Sequence, residues 1–234
     1  MFHVKPTSPP IPVDVYQHLI TICGELVSKN KVIKLDRLFN IARKEMQVDS
    51  SAIVKAIKQL EDDLVIKADS KLLRSELLAN PTRKELYSII ARNPGISFNQ
   101  IRSQLGKGTK LLLWHVQVLS DFGCIHACTF ESNAKAYFTR HVDEAGWGRD
   151  GLRMFQLYQN PTVKLVLDVL SDGESHAVKQ IEARIGISRQ LAEYYLKKLQ
   201  EMRVVDATGE GTRHYFMVEL QRRLFLRCKE YIIA

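Results

Sequence analysis

The feature that most constrains this chain is that it repeats itself. Asn80-Pro81-Thr82, followed by Lys84, recurs as Asn160-Pro161-Thr162 followed by Lys164, an offset of 80 residues. The same offset places Gly106 on Gly186, Trp114 on Tyr194, Leu119 on Leu199 and Cys124-Ile125 on Val204-Val205. Tyr137-Phe138 then matches Tyr215-Phe216 at an offset of 78, so the later copy has lost two residues in between. A solvated hairpin tip tolerates such a change better than packed elements do, and flanks that stay in register are what two copies of one fold show.

Each copy reads the same way. A helix is predicted from about Pro81 to Arg92 and from Pro161 to Leu170. Asn is a good N-cap before it, and proline fits the first helical turn. A glycine-containing turn follows, Asn93-Pro94-Gly95 or Ser171-Asp172-Gly173. A short second helix comes next, near Asn99 to Leu105 and Val178 to Ile185. A tight turn at Gly106 or Gly186 leads to a third helix, roughly Thr109 to Phe122 and Arg189 to Met202. Two segments of alternating polarity close each copy. They are Cys124 to Phe130 with Ala136 to Arg140, and Val204 to Thr208 with Arg213 to Val218. Gly209-Glu210-Gly211 joins the last two, which is hairpin chemistry. The fold class is mainly α with small β-hairpins (α+β). Three helices and a hairpin, with a short turn between the second and third helices, make a helix-turn-helix with a wing.

The rest of the chain divides around these copies. Residues 1–12 are a flexible proline-rich tail. Residues 13–79 form a divergent winged-helix-like or helical domain, with helices at Val13 to Ser28, Lys34 to Met46 and Ser50 to Asp62. Asp49, Ser50 and Ser51 offer caps to the third of these. Ile53, Ile57 and Leu60 take the spacing of Leu112, Val116 and Leu119, and the wing at Leu64 to Leu73 is stunted. The two clear copies occupy 80–142 and 160–218. Between them, 143–159 is a linker helix starting after Gly146 or Gly148. Residues 219–234 are a terminal helix with Leu220, Leu224, Cys228 and Tyr231 on one stripe. That stripe allows a homodimer, or packing back on the chain's own third domain.

The residues from Asn80 to Val218 resemble the archaeal winged helix-turn-helix transcriptional regulators. The likeness rests on Asn-Pro-Thr-x-Lys opening the first helix and on Asn93-Pro94-Gly95-Ile96-Ser97. It rests further on Trp114-His115-x-x-x-Leu119, which runs on to Gly123-Cys124-Ile125. The resemblance implies tandem winged helices, DNA binding, an archaeal source and dimerisation through a terminal helix.

Charge agrees with a polyanionic partner. Lys and Arg number 34 against 26 Asp and Glu, a net charge of +8, and the pI is near 9.3. Such a balance favours nucleic acid. The excess is spread, +2 over 1–79, +3 over 80–150 and +3 over 151–234, so folded surfaces rather than a basic arm must make the contacts. The densest apolar run, Leu111-Leu112-Leu113-Trp114, is far short of the ~20 residues of a membrane span. Four cysteines and no signal-peptide pattern point to a reducing, cytoplasmic setting.

In a winged helix the start of the third helix enters the major groove and the wing lies on the backbone. The last copy suits this best. Ser188, Arg189 and Gln190 open its third helix, with Glu193, Tyr194 and Lys197 facing out and Ala192, Leu196 and Leu199 facing in. Arg suits guanine and Gln suits adenine. Wing residues Arg213 and His214, and Lys135 in the preceding copy, are placed against phosphate. Lys107, Thr109 and Lys110 belong to the same set. Salt-bridged surface residues are the plain alternative for all of them. In the earlier copy Leu111, Leu113 and Trp114 face out, which reads DNA poorly and suggests a protein contact. That helix is therefore expected to be partly covered by a partner subunit or a neighbouring domain. Leu220, Leu224 and Tyr231 complete the expected protein interface.

Catalysis and cofactors find no footing. His115 precedes an inward position and reads as a core histidine. Cys124, His126 and Cys128 share one strand face, but the two cysteines lie about 13 Å apart along an extended strand. One zinc with bonds near 2.3 Å does not join them. There is no phosphate-binding glycine loop, nucleophile elbow or metal-binding His-Glu motif. No cofactor, metal or enzymatic activity is expected. Two functions stay open. One is a sequence-specific regulator of double-stranded DNA. The other is a non-catalytic scaffold, of the kind winged helices form in ESCRT-II and in transcription-machinery subunits.

Overall fold

A computed structural model describes residues 13–130, 134–209 and 212–233. The proline-rich tail and the centre of the Gly209-Glu210-Gly211 turn lie outside the described residues. The fold is mainly helical with two small antiparallel sheets. No helix among the described residues is long and apolar enough to cross a membrane.

Three helices open the chain: α1 (Val13–Ser28), α2 (Leu35–Glu45) and α3 (Ser50–Asp62). Asp49 caps α3, its carboxylate accepting the Ser51 N–H at 3.1 Å, which satisfies a donor the helix cannot bond internally. Leu19, Ile22, Cys23 and Leu26 form one stripe of α1 at three- and four-residue spacing. They meet Leu38 and Ala42 of α2 and Ile53, Ala56, Ile57 and Leu60 of α3 in a single core. Residues 64–73 form no strand. Leu64 and Asp69 take left-handed backbone angles (φ +57° and +60°), which break a pleat. The segment is tied to Ile33 by backbone bonds instead, the Ile33 N–H donating to the Ser70 carbonyl at 2.8 Å and the Asp69 N–H to the Ile33 carbonyl at 2.9 Å. A 3₁₀ helix at Arg74–Ala79, which the sequence pattern did not reveal, ends the segment. There the Arg83 Nε donates to the buried Leu77 carbonyl at 2.6 Å.

Two runs of elements follow in the same order. The first is α4 (Pro81–Arg92), β1 (Ile96–Ser97), α5 (Phe98–Leu105), α6 (Thr109–Asp121), β2 (Ile125–Thr129) and β3 (Lys135–Thr139). After α7 (Arg140–Glu144) and α8 (Gly148–Tyr158) comes the second. It holds α9 (Pro161–Leu170), β4 (His176–Ala177), α10 (Val178–Ile185), α11 (Arg189–Glu201), β5 (Val205–Thr208) and β6 (His214–Met217). Helix α12 (Glu219–Ile233) ends the chain. The sheets run β1-β3-β2 and β4-β6-β5, all pairs antiparallel. Ile96 pairs with Tyr137 as His176 pairs with Tyr215. Each hairpin therefore gains a third strand where the sequence reading placed only a turn. Two residues are too few to show an alternating pattern.

By contacts the chain forms two compact units. One takes in the described residues up to Glu85 together with Leu113–Cys124, and the other holds Leu86–Leu112 and the described residues from Ile125 onward. In the second unit a continuous core runs from Phe130 and Phe138 through Leu152, Met154 and Phe155 to Leu167, Leu196 and Phe225. Helix α8 is thus core rather than spacer. Its neighbour Gly95 (φ +83°) comes so close that a Cβ there would sit 2.6 Å from the Gln156 nitrogen. Gln159 fastens the contact, Nε2 donating to the Pro94 carbonyl at 2.8 Å while its own carbonyl accepts from Gln100 at 3.1 Å.

Helix starts in this unit follow local chemistry. Asn160 caps α9 by accepting the N–H groups of Thr162 and Val163, with Pro161 in the first turn. Gly186 ends α10 in the left-handed conformation (φ +68°), as Gly106 ends α5 (φ +61°). An L side chain there would be strained, so the turn into the third helix demands glycine.

At the start of β4, His176 is buried and its Nε2 lies 2.9 and 3.0 Å from the two Asp172 oxygens. Burial alone would raise the Asp172 carboxyl. Hydrogen bonds from His176, the Glu174 amide and Arg184 outweigh that and hold it below the usual carboxylate range. A carboxyl with a lowered folded pKa stabilises the fold above the ordinary value of about 4 and loses that contribution as pH falls through the lowered value. Asp172→Asn is therefore expected to lower the melting temperature near neutral pH. The gap from wild type should narrow on acidification. Thermal melts across that pH range check this, and a gap that stays constant would contradict it.

Candidate nucleic-acid interface

The outward face of α11 is fixed by what its inward face buries. Ala192, Leu196 and Leu199 are buried in the core of their unit. A 3.6-residue period then turns Arg189, Gln190, Glu193, Tyr194 and Lys197 to solvent, and all five are exposed. Ser188 caps the helix by accepting the Leu191 N–H at 3.4 Å, which satisfies one of the first-turn donors. The free N–H groups of that turn add a positive end to the exposed side chains.

An open groove of about 1150 Å³ lies along this face, bounded by α10, α11 and β6. Its basic lining is Lys179, Arg189, Lys197 and Arg213, and its acidic lining is Glu182, Glu193 and Glu201. The charges interleave rather than form a uniform basic floor. Arg189 Nε donates to Glu193 Oε1 at 2.8 Å, one helical turn away. This hydrogen bond and the nearby carboxylate hold the guanidinium above its already high pKa, so Arg189 is always charged. Lys198 reaches over the Tyr194 ring at 4.8 Å, and Tyr194 meets Tyr195 edge-on at 5.2 Å. Tyr194 is 51% exposed. On the hairpin, Arg213 is exposed and His214 half-buried. His214 pairs with Thr208 and Ala177 across the sheet. The structure thus brings Arg189, Glu193, Lys197 and Arg213 to one groove, and the sequence reading missed Lys179, Glu182 and Glu201 as its remaining charged walls. Their signal was weak, because α10 reads as an ordinary amphipathic helix.

The equivalent elements one repeat earlier differ. Thr109 accepts from Arg102 Nη1 at 3.5 Å. Lys110 and Lys135 are exposed and Lys107 half-buried. Leu111, Leu113 and Trp114 are 46%, 48% and 53% exposed. The Arg83 guanidinium lies 6.0 Å from the Trp114 ring centre, and the buried His115 ring lies 4.7 Å from it.

The terminal helix packs through most of the stripe read in the sequence, joined by Phe225 and without Leu220. Phe225 and Cys228 are fully buried and Leu224 partly so, whereas Leu220 is 63% exposed. Tyr231 sits between, its ring 5.6 Å from Trp147 and 5.5 Å from Phe155. Helix α12 therefore packs on α8 of its own unit through Phe225 and Cys228. Burial pushes the Cys228 thiol up to about 12. His126 stacks on Phe138 at 5.4 Å. Among the described residues no group of three or more His, Cys, Asp or Glu gathers closely enough to hold a metal ion.

No protein-family model matches the chain. It is 25% identical over 216 residues to an uncharacterised HTH-type transcriptional regulator of the archaeon Methanocaldococcus jannaschii. That alignment covers 92% of this chain and 49% of the relative, so the chain spans about half the length of the curated relative it matches. Among solved structures, it aligns with a bacterial selenocysteine-specific elongation factor, covering 88% of this chain and 30% of that one. The identity is 14% and the TM-score 0.26, too low to assign a shared fold.

Proposed function

We propose that the chain is a transcriptional regulator that binds double-stranded DNA through tandem winged helices. In this reading α11 is the recognition helix and the β5–β6 hairpin is the wing. The observation that carries it is the outward face of α11, where Arg189 and Lys197 line one groove with Arg213 of the hairpin and Gln190 stands exposed in the first turn. These are base-reading and phosphate-contacting side chains at the place where a helix-turn-helix meets the major groove. The net charge of +8 supports the same partner, as does the name of the archaeal relative. Lys110, Lys107 and Lys135 would add phosphate contacts from the preceding repeat, with Thr109 beside them.

Titrations of labelled duplex DNA at two salt concentrations test the reading. Wild-type binding is expected to weaken steeply with salt. Lys197→Ala should weaken binding to all sequences alike and reduce the salt slope by about one. Binding that is insensitive to salt, or unchanged in Lys197→Ala, would sink the proposal.

A second reading rests on α6. Leu111, Leu113 and Trp114 leave about half of each side chain in water, and such a face suits a protein partner better than phosphate. A homodimer through exposed parts of α12, such as Leu220, would serve the regulator by spanning two half-sites, so the α6 face alone carries the scaffold reading. Light scattering of wild type beside Leu111→Ser/Leu113→Ser checks it. A drop in assembly size in the variant supports a protein contact there, and an unchanged monomer removes it.

A further inference from the structure

The groove holds a pairing whose role goes beyond anchoring. Glu193 is an odd residue for a surface that meets phosphate, since its carboxylate repels the backbone. It is nevertheless bonded to Arg189, Nε to Oε1 at 2.8 Å, with both side chains largely in solvent. An exposed pair of this kind does little for stability. Its geometry is more telling. The bond takes up Nε alone, and neither terminal amino group of Arg189 donates a hydrogen bond within the protein among the described residues. The guanidinium fork is therefore held from behind, with its two outer donors left to bond elsewhere.

We propose that Glu193 is a positioning residue that presents the Arg189 fork to guanine and restricts the start of α11 to a G·C pair. This rests on the duplex-DNA reading above. In the major groove guanine offers two acceptors, O6 and N7, which match two parallel N–H donors. Adenine offers N7 beside an amino donor, which an arginine with no acceptor cannot satisfy. The Glu193 carboxylate only accepts. The major-groove donors available to it are the amino groups of cytosine and adenine, whereas guanine and thymine turn acceptors toward it. A guanine under Arg189 with the cytosine amine toward Glu193 meets both side chains at once. Elsewhere the carboxylate faces like charge on phosphate or base oxygens. Glu182 and Glu201 in the same groove add to that repulsion. The acidic lining costs overall affinity and raises discrimination against wrong registers.

The test uses the full chain and a random-sequence duplex pool. Bound duplexes are recovered and sequenced for wild type, Glu193→Gln and Arg189→Ala, and each protein is then titrated with the recovered duplex and its single-base-pair variants. Both substitutions lie on solvent, so melting temperatures should match wild type and establish that each variant is folded. Glu193→Gln is expected to bind the unselected pool several-fold more tightly. At one G·C position its discrimination should fall by roughly 5- to 100-fold, the worth of a bidentate contact. Arg189→Ala should lose preference at that same position. If Glu193→Gln keeps the wild-type preference, or weakens every duplex equally, the positioning role is overturned while DNA binding stands. If wild type enriches no duplex at all, the duplex-DNA reading itself falls.

Discussion

Phe155→Ala is expected to destabilise the second unit by about 3–5 kcal/mol, the range for truncating a fully buried phenylalanine. Phe155 is wholly buried on α8. Its ring meets Trp147 edge-on at 4.7 Å and Tyr231 at 5.5 Å, and the Arg227 guanidinium lies 4.2 Å from the centre of that same Trp147 ring. Truncation would remove the transfer energy of the ring and leave a hole that α8 and α12 close only in part. Leu220→Ala, at the exposed start of α12, should change stability by no more than about 0.5 kcal/mol. Urea unfolding of both variants gives the comparison. Equal effects, or a larger one at Leu220, would mean that α12 does not dock on α8 through the stripe described here.

The second large effect concerns Gly95. Its φ of +83° is a conformation that L residues adopt at a cost of about 1–2 kcal/mol. A Cβ would also lie 2.6 Å from the Gln156 nitrogen and 2.8 Å from its Cα, and backbone cannot swing aside as a flexible side chain does. Gly95→Ala must therefore push α8 off the segment before β1, straining the Gln159–Pro94 and Gln100–Gln159 bonds. A loss of at least about 2 kcal/mol is expected from the backbone strain together with the clash. Gly108→Ala is the control, because a Cβ there meets nothing within 4 Å. It should stay close to wild type. Thermal melts decide between them, and a Gly95→Ala variant as stable as Gly108→Ala would refute the close approach.

Why some of this was legible in the sequence and some was not has physical causes. The outward and inward faces of α11 followed from apolar spacing, because Ala192, Leu196 and Leu199 leave no other face to bury. Helix starts at Asn160 and Asp49 followed from capping chemistry. The short strands β1 and β4 did not, since two residues carry no period and their pairing with Tyr137 and Tyr215 is non-local. The stripe of α12 was legible in part, since Leu224, Cys228 and Tyr231 lie on the packed side. Phe225 joins them while Leu220 is exposed, and only the position of α8 decides both. In the groove, Arg189 and Lys197 were visible as residue types in a known context. The ion pair between Arg189 and Glu193 matches the plain alternative of salt-bridged surface residues, and its four-residue spacing is the one that brings such side chains together. The acidic walls Glu182 and Glu201 depend on how α10 and α11 pack together.

The central claim is that the start of α11 reads duplex DNA. The most direct measurement is the equilibrium affinity of wild type and Arg189→Ala for one selected duplex and for the same duplex with its sequence scrambled, at a fixed salt concentration. The account predicts that wild type prefers the selected duplex and that Arg189→Ala loses roughly 5- to 100-fold of that preference while still binding the scrambled duplex about as well. Equal affinity of wild type for the two duplexes, or an undiminished preference in Arg189→Ala, would contradict it.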